Sequence, residues 1–361
     1  MGERVPLNSL CSKGKSTLRQ KDLNTEGLYP VYGASGIIGY MDTYQNEHEY
    51  IAVVKDGAGV GRATICSGKS SVLGTMQALL PNEGVECGYL LHLVRALNLG
   101  SGFSGSTIPH IYFKDYGKRL VPSFSLKGQK DISARFDKIE SQINLGNRIL
   151  ERCGQLVKSQ FVEMFGKDRY PILTIGDVSS GIRYGTSKKA SEDGRYIYLR
   201  MNNLTDDGRL DLSDIKRIDL TESELEKCVV EKGDLLFNRT NSREKVGKTA
   251  VFDLDEPMVI AGYIIRVRLQ PEVDSIYLST FMNLAKTKAL LQAIAKGAVH
   301  QANINARQLA AIEFPLPPLP LQQQFASFVA EVDKSRFVAR KSAEHIMNMQ
   351  ALDIRPNARL Q

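Results

Sequence analysis

One stretch of this chain occurs twice, and that duplication limits the folds available to it. Ile111–Glu140 reads IYFKDYGKRLVPSFSLKGQKDISARFDKIE and Ile304–Asp333 reads INARQLAAIEFPLPPLPLQQQFASFVAEVD. A constant offset of 193 residues aligns them without a gap, placing Ile111 on Ile304, Lys114 on Arg307, Pro122 on Pro315 and Gln129 on Gln322. Ile132, Phe136 and Ile139 then fall on Phe325, Val329 and Val332. Each copy passes from a short apolar segment through a proline-containing stretch into apolar residues at i, i+4 and i+7, the period of a helix. Two copies in one chain predict two similar halves, each a globular unit followed by a long helix.

The repeat extends upstream. Val60-Gly-Arg-Ala-Thr-Ile65 matches Val246-Gly-Lys-Thr-Ala-Val251, and Gly74 matches Gly262. At 361 residues the chain is long enough for two domains with separate cores. The expected class is α+β: two mostly-β domains separated by two long antiparallel coiled-coil helices, related as a pseudo-two-fold internal repeat. Boundaries follow from composition: 1–128 for the first domain, 129–166 for its helix, 167–320 for the second domain and 321–361 for the second helix and tail.

In the first half, β-rich runs at Glu49–Lys55 and Ser71–Pro81 lie between Gly-rich turns, with a helix over Cys87–Leu97. The stretch Pro122–Gly128 leads into a helix over Lys130–Met164. Its seam is Ile132, Phe136, Ile139, Ile143, Leu150, Cys153, Val157 and Met164, with Gly146 leaving a gap. Such a helix spans roughly 50 Å, and a narrow stripe of this length calls for a partner helix. Gly166–Pro171 stops it. The second half predicts strands at Tyr196–Met201, Asp234–Asn238, Lys248–Phe252 and Ala261–Leu269, and one helix over Ile276–Ala295. The second long helix starts at Leu321 and fades after Leu352. Its seam (Phe325, Val329, Val332, Ala339, Ala343, Ile346) is weakened by Arg336 and Gln350.

Five scattered cysteines without a CxxC pair argue for a reducing compartment, with no disulfide framework and no zinc site. The absence of a signal-like N-terminus and of long apolar runs gives a cytoplasmic expectation. Two phosphate-loop look-alikes fail on context. Gly14-Lys-Ser16 has Ser9 where a Walker loop needs glycine, and Gly57-Ala-Gly-Val-Gly61 leads into a strand rather than a helix. The five histidines form no metal-binding pair. Neither an Asn/Asp-Pro-Pro-aromatic motif nor a Gly-rich cofactor loop is present, the two features a DNA amino-methyltransferase would need. The expectation is a chain that catalyses nothing and binds no metal or cofactor itself.

A net charge of +7 suits a polyanion. The polar loops supply suitable side chains, since Arg and Lys serve phosphates and guanine while Asn and Gln serve adenine. The candidates are Tyr32 and Ser35, Lys55 and Arg62, Ser106 and His110 in the first half. In the second they are Arg200, Asn202, Asn203, Asn238, Arg239, Asn241, Arg243, Lys248, His300, Gln301 and Asn303.

Several of these stretches resemble the specificity subunits of type I restriction–modification systems. The resemblance rests on Tyr29-Pro-Val-Tyr-Gly-Ala-Ser-Gly-Ile-Ile-Gly-Tyr40, Val60-Gly-Arg-Ala63, Gly105-Ser-Thr-Ile-Pro-His110, Tyr198-Leu-Arg200, Gly233-Asp-Leu-Leu236 and Val246-Gly-Lys248. Its most specific element is Glu313-Phe-Pro-Leu-Pro-Pro-Leu-Pro-Leu-Gln322, which has become Pro122-Ser-Phe-Ser-Leu-Lys-Gly in the first half. The resemblance implies a non-catalytic subunit whose two domains each read half of a split, asymmetric DNA site while the helices set the spacer. It implies as partners double-stranded DNA, two copies of a methylation subunit and a restriction/motor subunit. S-adenosylmethionine, ATP and magnesium would belong to those partners. Docking residues implied at the helix starts are Gln129, Ile132, Phe136, Gln322, Phe325 and Val329. The alternatives are a two-domain protein-binding scaffold without DNA specificity and a stand-alone endonuclease.

Overall fold

A computed structural model describes residues 3–102, 109–166, 170–298 and 301–354, with the backbone alone for 298 and 343–354. The chain divides into two compact units, Met1–Leu145 with Ala343–Gln361, and Gly146–Ser342. The class is α+β with an internal repeat.

The first unit contains β1 (Glu3–Pro6), β2 (Cys11–Lys13), β3 (Tyr29–Gly33), β4 (Gly36–Met41), β5 (Tyr50–Val54), β6 (Ala63–Cys66), β7 (Ser71–Val72) and β8 (Met76–Pro81). Helices α1 (Cys87–Ala96) and α2 (Phe113–Tyr116), strand β9 (Leu120–Ser123) and the start of α3 (Leu126–Phe165) follow. One sheet has the order β2-β8-β5-β6 and another β4-β3-β7, with β3 and β7 parallel. Strand β5 (YIAVV) is buried along its whole length, as an apolar β-branched run in the middle of a sheet should be.

The second unit contains β10 (Ile172–Thr174), β11 (Ser179–Tyr184), β12 (Tyr196–Leu199), β13 (Lys216–Ile218), α4 (Glu222–Cys228), β14 (Val229–Val230), β15 (Leu235–Asn238) and β16 (Thr240–Asn241). Next come β17 (Thr249–Val251), β18 (Met258–Ile260), β19 (Ile264–Leu269), α5 (Ser275–Met282) and α6 (Ala285–Ile294). The unit closes with β20 (Lys296–Ala298), β21 (Gln301–Asn303), α7 (Ala306–Ala310), β22 (Glu313–Pro315) and the larger part of α8 (Leu319–Ile354). Its sheet β11-β19-β15-β17 repeats β2-β8-β5-β6 strand for strand. The parallel β12–β18 pair repeats β3–β7.

Several expectations need correction. The run Ser71–Pro81 is two strands broken at Leu73–Thr75, and Ala261–Leu269 begins only at Ile264. The helix expected over Ile276–Ala295 is α5 and α6, separated at Asn283–Leu284. The first long helix starts at Leu126 rather than Lys130, so Gly128 lies inside α3, and Pro122 lies in β9, paired with Arg4.

The reading of α3 also missed its best anchors. Phe161 and Phe165 are 3% and 4% exposed and pack on Tyr277 and Phe325, with ring centroids 4.8–5.6 Å apart. Arg336 on α8 donates to the Leu150 carbonyl of α3, so the two helices run antiparallel within this unit. Arg336 is not a weak exposed point of the seam; its side chain is 13% exposed and paired. The seam positions Ala343 and Ile346, and Gln350 beside them, lie outside the described side chains.

Candidate nucleic-acid interface

The site is built where the central strand of each unit runs out. In the first unit β5 continues into Lys55 and Asp56, and the chain returning at His110 bridges to Asp56 in antiparallel fashion. The Lys55 carbonyl accepts from the Ile111 amide at 3.0 Å, and the Lys55 amide donates to the Thr75 carbonyl. His110 Nδ1 lies 2.8 Å from Asp56 Oδ1, and the ring stacks on half-exposed Tyr112.

The second unit reproduces this geometry with different side chains. The Arg239 carbonyl accepts from the Ile304 amide at 2.9 Å, and the Arg239 amide donates to the Tyr263 carbonyl. Thr240 pairs with Asn303 in register, and Asn303 Nδ2 donates to Thr240 Oγ1 at 2.8 Å. Lys55 therefore corresponds to Arg239, Asp56 to Thr240 and His110 to Asn303. The Arg239 guanidinium lies 4.8 Å from the Tyr184 ring centre and donates to Asn303 Oδ1 at 3.2 Å and to the Gly262 carbonyl at 3.3 Å. Tyr184 is 42% exposed, so the planar cation sits beside an accessible aromatic face, and Tyr263, whose carbonyl accepts from the Arg239 amide, is 53% exposed.

The glycine turns place these strand ends. Gly61 and Gly247 both have positive φ, and their amides donate to Val54 and Asn238 at 2.8 Å. A side chain on Gly61 would strike the Leu99–Gly100 backbone at 2.3 Å, so glycine there is needed for close approach as well as for φ.

The other candidates separate into two groups. Ser35 is exposed in the β3–β4 turn, Gln301 is exposed on β21, and Asn241 caps its own turn by accepting from Ser242. Tyr32 reaches Ser67 at 3.1 Å, and Arg62 folds back to the Gly59 carbonyl at 3.4 Å. The second group is buried or bound to the protein's own groups. Asn203 is 1% exposed and donates to the Asp211 and Asp214 carbonyls, while Arg200 and Asn202 both bind Asp214. Arg243 is spent on the Gln292 and Gly297 carbonyls, and Lys248 on Asp206 and the Leu204 carbonyl. Asn238 is fully buried. The side chains of Arg200, Asn202, Asn203, Arg243 and Lys248 are thus bound to the protein's own loops, while that of Asn238 is buried without a partner. Ser106 and His300 lie outside the described residues.

The implied docking residues also face inward. Gln322, Phe325 and Val329 are at most 2% exposed, and Gln129 is 4% exposed. Gln129 Oε1 accepts from the Glu86 amide, and its Nε2 donates to the Gly84 and Phe124 carbonyls. Gln322 accepts from Asp274 and donates to Glu272 and Pro317. Ile132 packs on the first unit's core and Phe136 on His92. Sequence reasoning missed Asp56, Thr240, Tyr112, Tyr184 and Tyr263. The offset near Ile111 and Ile304 held the clue to the first two, but the register across the bridge was needed to use it. Among the described residues no cluster of His, Cys, Asp or Glu could hold a metal, and no helix is long and apolar enough to cross a membrane.

The family described as the type I restriction modification DNA specificity domain matches residues 3–153 and again 169–344. A putative type I restriction enzyme specificity subunit of Methanocaldococcus jannaschii is 28% identical over 169 residues, 45% of this chain and 39% of that protein. The EcoKI specificity subunit of Escherichia coli is 22% identical over 279 residues, 70% of this chain and 60% of that one. The matches therefore span less than two thirds of either curated relative. A crystal structure of a type I restriction–modification S subunit from M. genitalium superposes with a TM-score of 0.56 at 13% identity, covering 98% of this chain and 95% of that one. A structure from a study of type I complex assembly and conformational transition gives 0.52 at 17% identity, covering 98% and 96%. At those identities the structures speak to fold alone.

Proposed function

The chain belongs to the family of type I restriction modification DNA specificity domains, and from that premise we propose that each unit reads one half of a split DNA site. The observation that carries this reading is the matched strand-end site: one backbone geometry in both units, furnished with Lys55, Asp56 and His110 in one and Arg239, Thr240 and Asn303 in the other. A shared frame presenting different donors and acceptors is what recognition of two unlike half-sites requires. Arg239, stacked beside Tyr184, is the principal base-reading candidate. Lys55, Arg62, Ser35, Gln301 and Asn241 supply backbone or edge contacts.

The chain itself does no chemistry in this reading. Methyl transfer and ATP hydrolysis, with S-adenosylmethionine, ATP and magnesium, belong to partner subunits, and two copies of a methylation subunit match the two repeats. Because Gln129, Gln322, Phe325 and Val329 are buried, docking falls to outward-facing positions such as Leu126, Leu156 and Val162 on α3, each at least 45% exposed.

Co-expression with the methylation subunit, followed by single-molecule sequencing of host DNA for modified adenines, tests the proposal. The expected product is a two-part motif with a fixed gap, in which Arg239→Met relaxes one half only. Arg243→Met, which frees a loop from α6, should weaken binding without changing which bases are preferred. A stable complex with no two-part motif would instead favour the protein-binding scaffold.

A further inference from the structure

The connection between β12 and β13 is an insertion with a second task. In the first unit the corresponding strands are joined by the tight turn Ala34–Ser35, whereas here residues 200–215 intervene. Its tip is pinned on three sides. Asp206 pairs with Lys248 at 3.0 Å beside β17. Gly208, at φ +81°, sits so close to α5 and β17 that a Cβ would lie 2.7 Å from Asn283 Nδ2 and 2.9 Å from the Thr249 carbonyl. Asp207 and Arg209 reach α8, pairing with Arg336 at 3.0 Å and with Asp333 at 2.8 Å.

Arg336 occupies the next seam position after Phe325, Val329 and Val332, where an apolar residue would be expected. Besides Asp207 it approaches Asp333 at 3.8 Å and donates to the Leu150 carbonyl of α3 at 3.4 Å. Gly154 on α3 leaves it room, since a Cβ there would stand 3.1 Å from the guanidinium. A buried cation is tolerated only with partners in place. Sliding α8 by one helical turn, about 5.4 Å, would strip Arg336 of Asp207 and the Leu150 carbonyl, leaving only Asp333 of its own helix.

We infer that Asp206–Arg209 is an electrostatic clip that seats the second recognition domain on its helix pair in one register, with Arg336 as the positioning residue. The consequence for DNA, a single permitted spacing between half-sites, rests on the proposed function; the clip itself does not. The test uses the full chain with Arg336→Met, Asp207→Asn and the double substitution, with helix content checked by circular dichroism. Amide exchange over 203–211 should accelerate at least tenfold in each single variant and no further in the double than in Arg336→Met. Amides of Leu235–Asn238 should keep their protection, which general destabilisation would not allow. Exchange within twofold of the unsubstituted chain, or accelerations that multiply in the double, overturns the clip. In the methylating complex, Arg336→Met should retain both half-sites but show more than one spacing. An unchanged spacing despite faster exchange overturns the link to the spacer. Absence of any two-part motif from the unsubstituted complex counts against the functional reading, while the exchange result still decides the clip.

Discussion

Asn238 stands where the first unit has Val54: the Val54 and Asn238 amides donate to the Arg62 and Lys248 carbonyls, and their own carbonyls accept from Gly61 and Gly247. Asn238 is fully buried and neither of its side-chain amide atoms has a partner. An unsatisfied buried amide costs about 1–3 kcal/mol, so Asn238→Val should stabilise the chain. A gain of about 1 kcal/mol would raise the melting temperature by about 2–4 °C in scanning calorimetry; a fall would show that the amide has a role its surroundings do not reveal. Lys288 carries the opposite kind of strain. Burial pushes its ammonium down to about 8, even though Asp206 opposes the shift, and its Nζ donates to the Gly247 carbonyl. Because the folded state gives up this proton more easily than the unfolded chain, the penalty is present in full below pH 8. It is relieved as pH rises from 8 towards 10.5. Stability compared between the parent and Lys288→Met should therefore differ in slope across that window and run parallel below it, as chemical denaturation at stepped pH would show.

At the scale of elements, the glutamine opening each long helix is a clasp. Gln129 and Gln322 each accept from the residue that N-caps an earlier helix of their unit, Glu86 of α1 or Asp274 of α5, and donate to two loop carbonyls. The same caps hold the starts of α1 and α5, where Tyr89 and Tyr277 donate to the Pro122 and Pro315 carbonyls. Gln322→Ala leaves the buried Pro317 carbonyl and two part-buried backbone groups without their side-chain partner, for a loss of about 1–3 kcal/mol in denaturant unfolding. Gln322→Glu should be at least as harmful, because a carboxylate cannot donate to the Glu272 and Pro317 carbonyls. Sequence alone marked this glutamine through its place in the repeat but not its purpose, since all its partners lie in loops that no periodicity reveals. The long helices were legible because an i, i+4, i+7 pattern persists over many turns. The strands β1, β9, β10 and β22 were not, because segments of three or four residues carry too little alternation to stand out. Phe161 and Phe165 escaped because they pack on Tyr277 and Phe325, contacts that only the folded unit creates.

At the scale of the whole molecule, the repeat is far more complete in three dimensions than along the chain. Leu7 corresponds to Ile175, Lys55 to Arg239, Gly74 to Gly262 and Ile111 to Ile304, as shown by their matching backbone bonds. The separation between partners grows along the chain because the second unit's loops are longer, so only the last segment aligns without gaps. That drift hid the equivalence of Asp56–His110 with Thr240–Asn303, and with it half of the candidate site. The equivalence also makes a transplant possible. Both pairs bridge the same two backbone segments over 2.8 Å, so Asp56→Thr combined with His110→Asn should rebuild the bridge as a Thr–Asn hydrogen bond and keep the fold. The substitution exchanges a carboxylate and an imidazole for a hydroxyl and an amide, a different set of donors and acceptors to set against base edges. In the methylating complex, the first half of the motif should change while the second half and the spacing stay fixed. A well-folded double variant with an unaltered motif would reduce these pairs to structural bridges and return the search for base contacts to the exposed turns around Ser35 and Gln301.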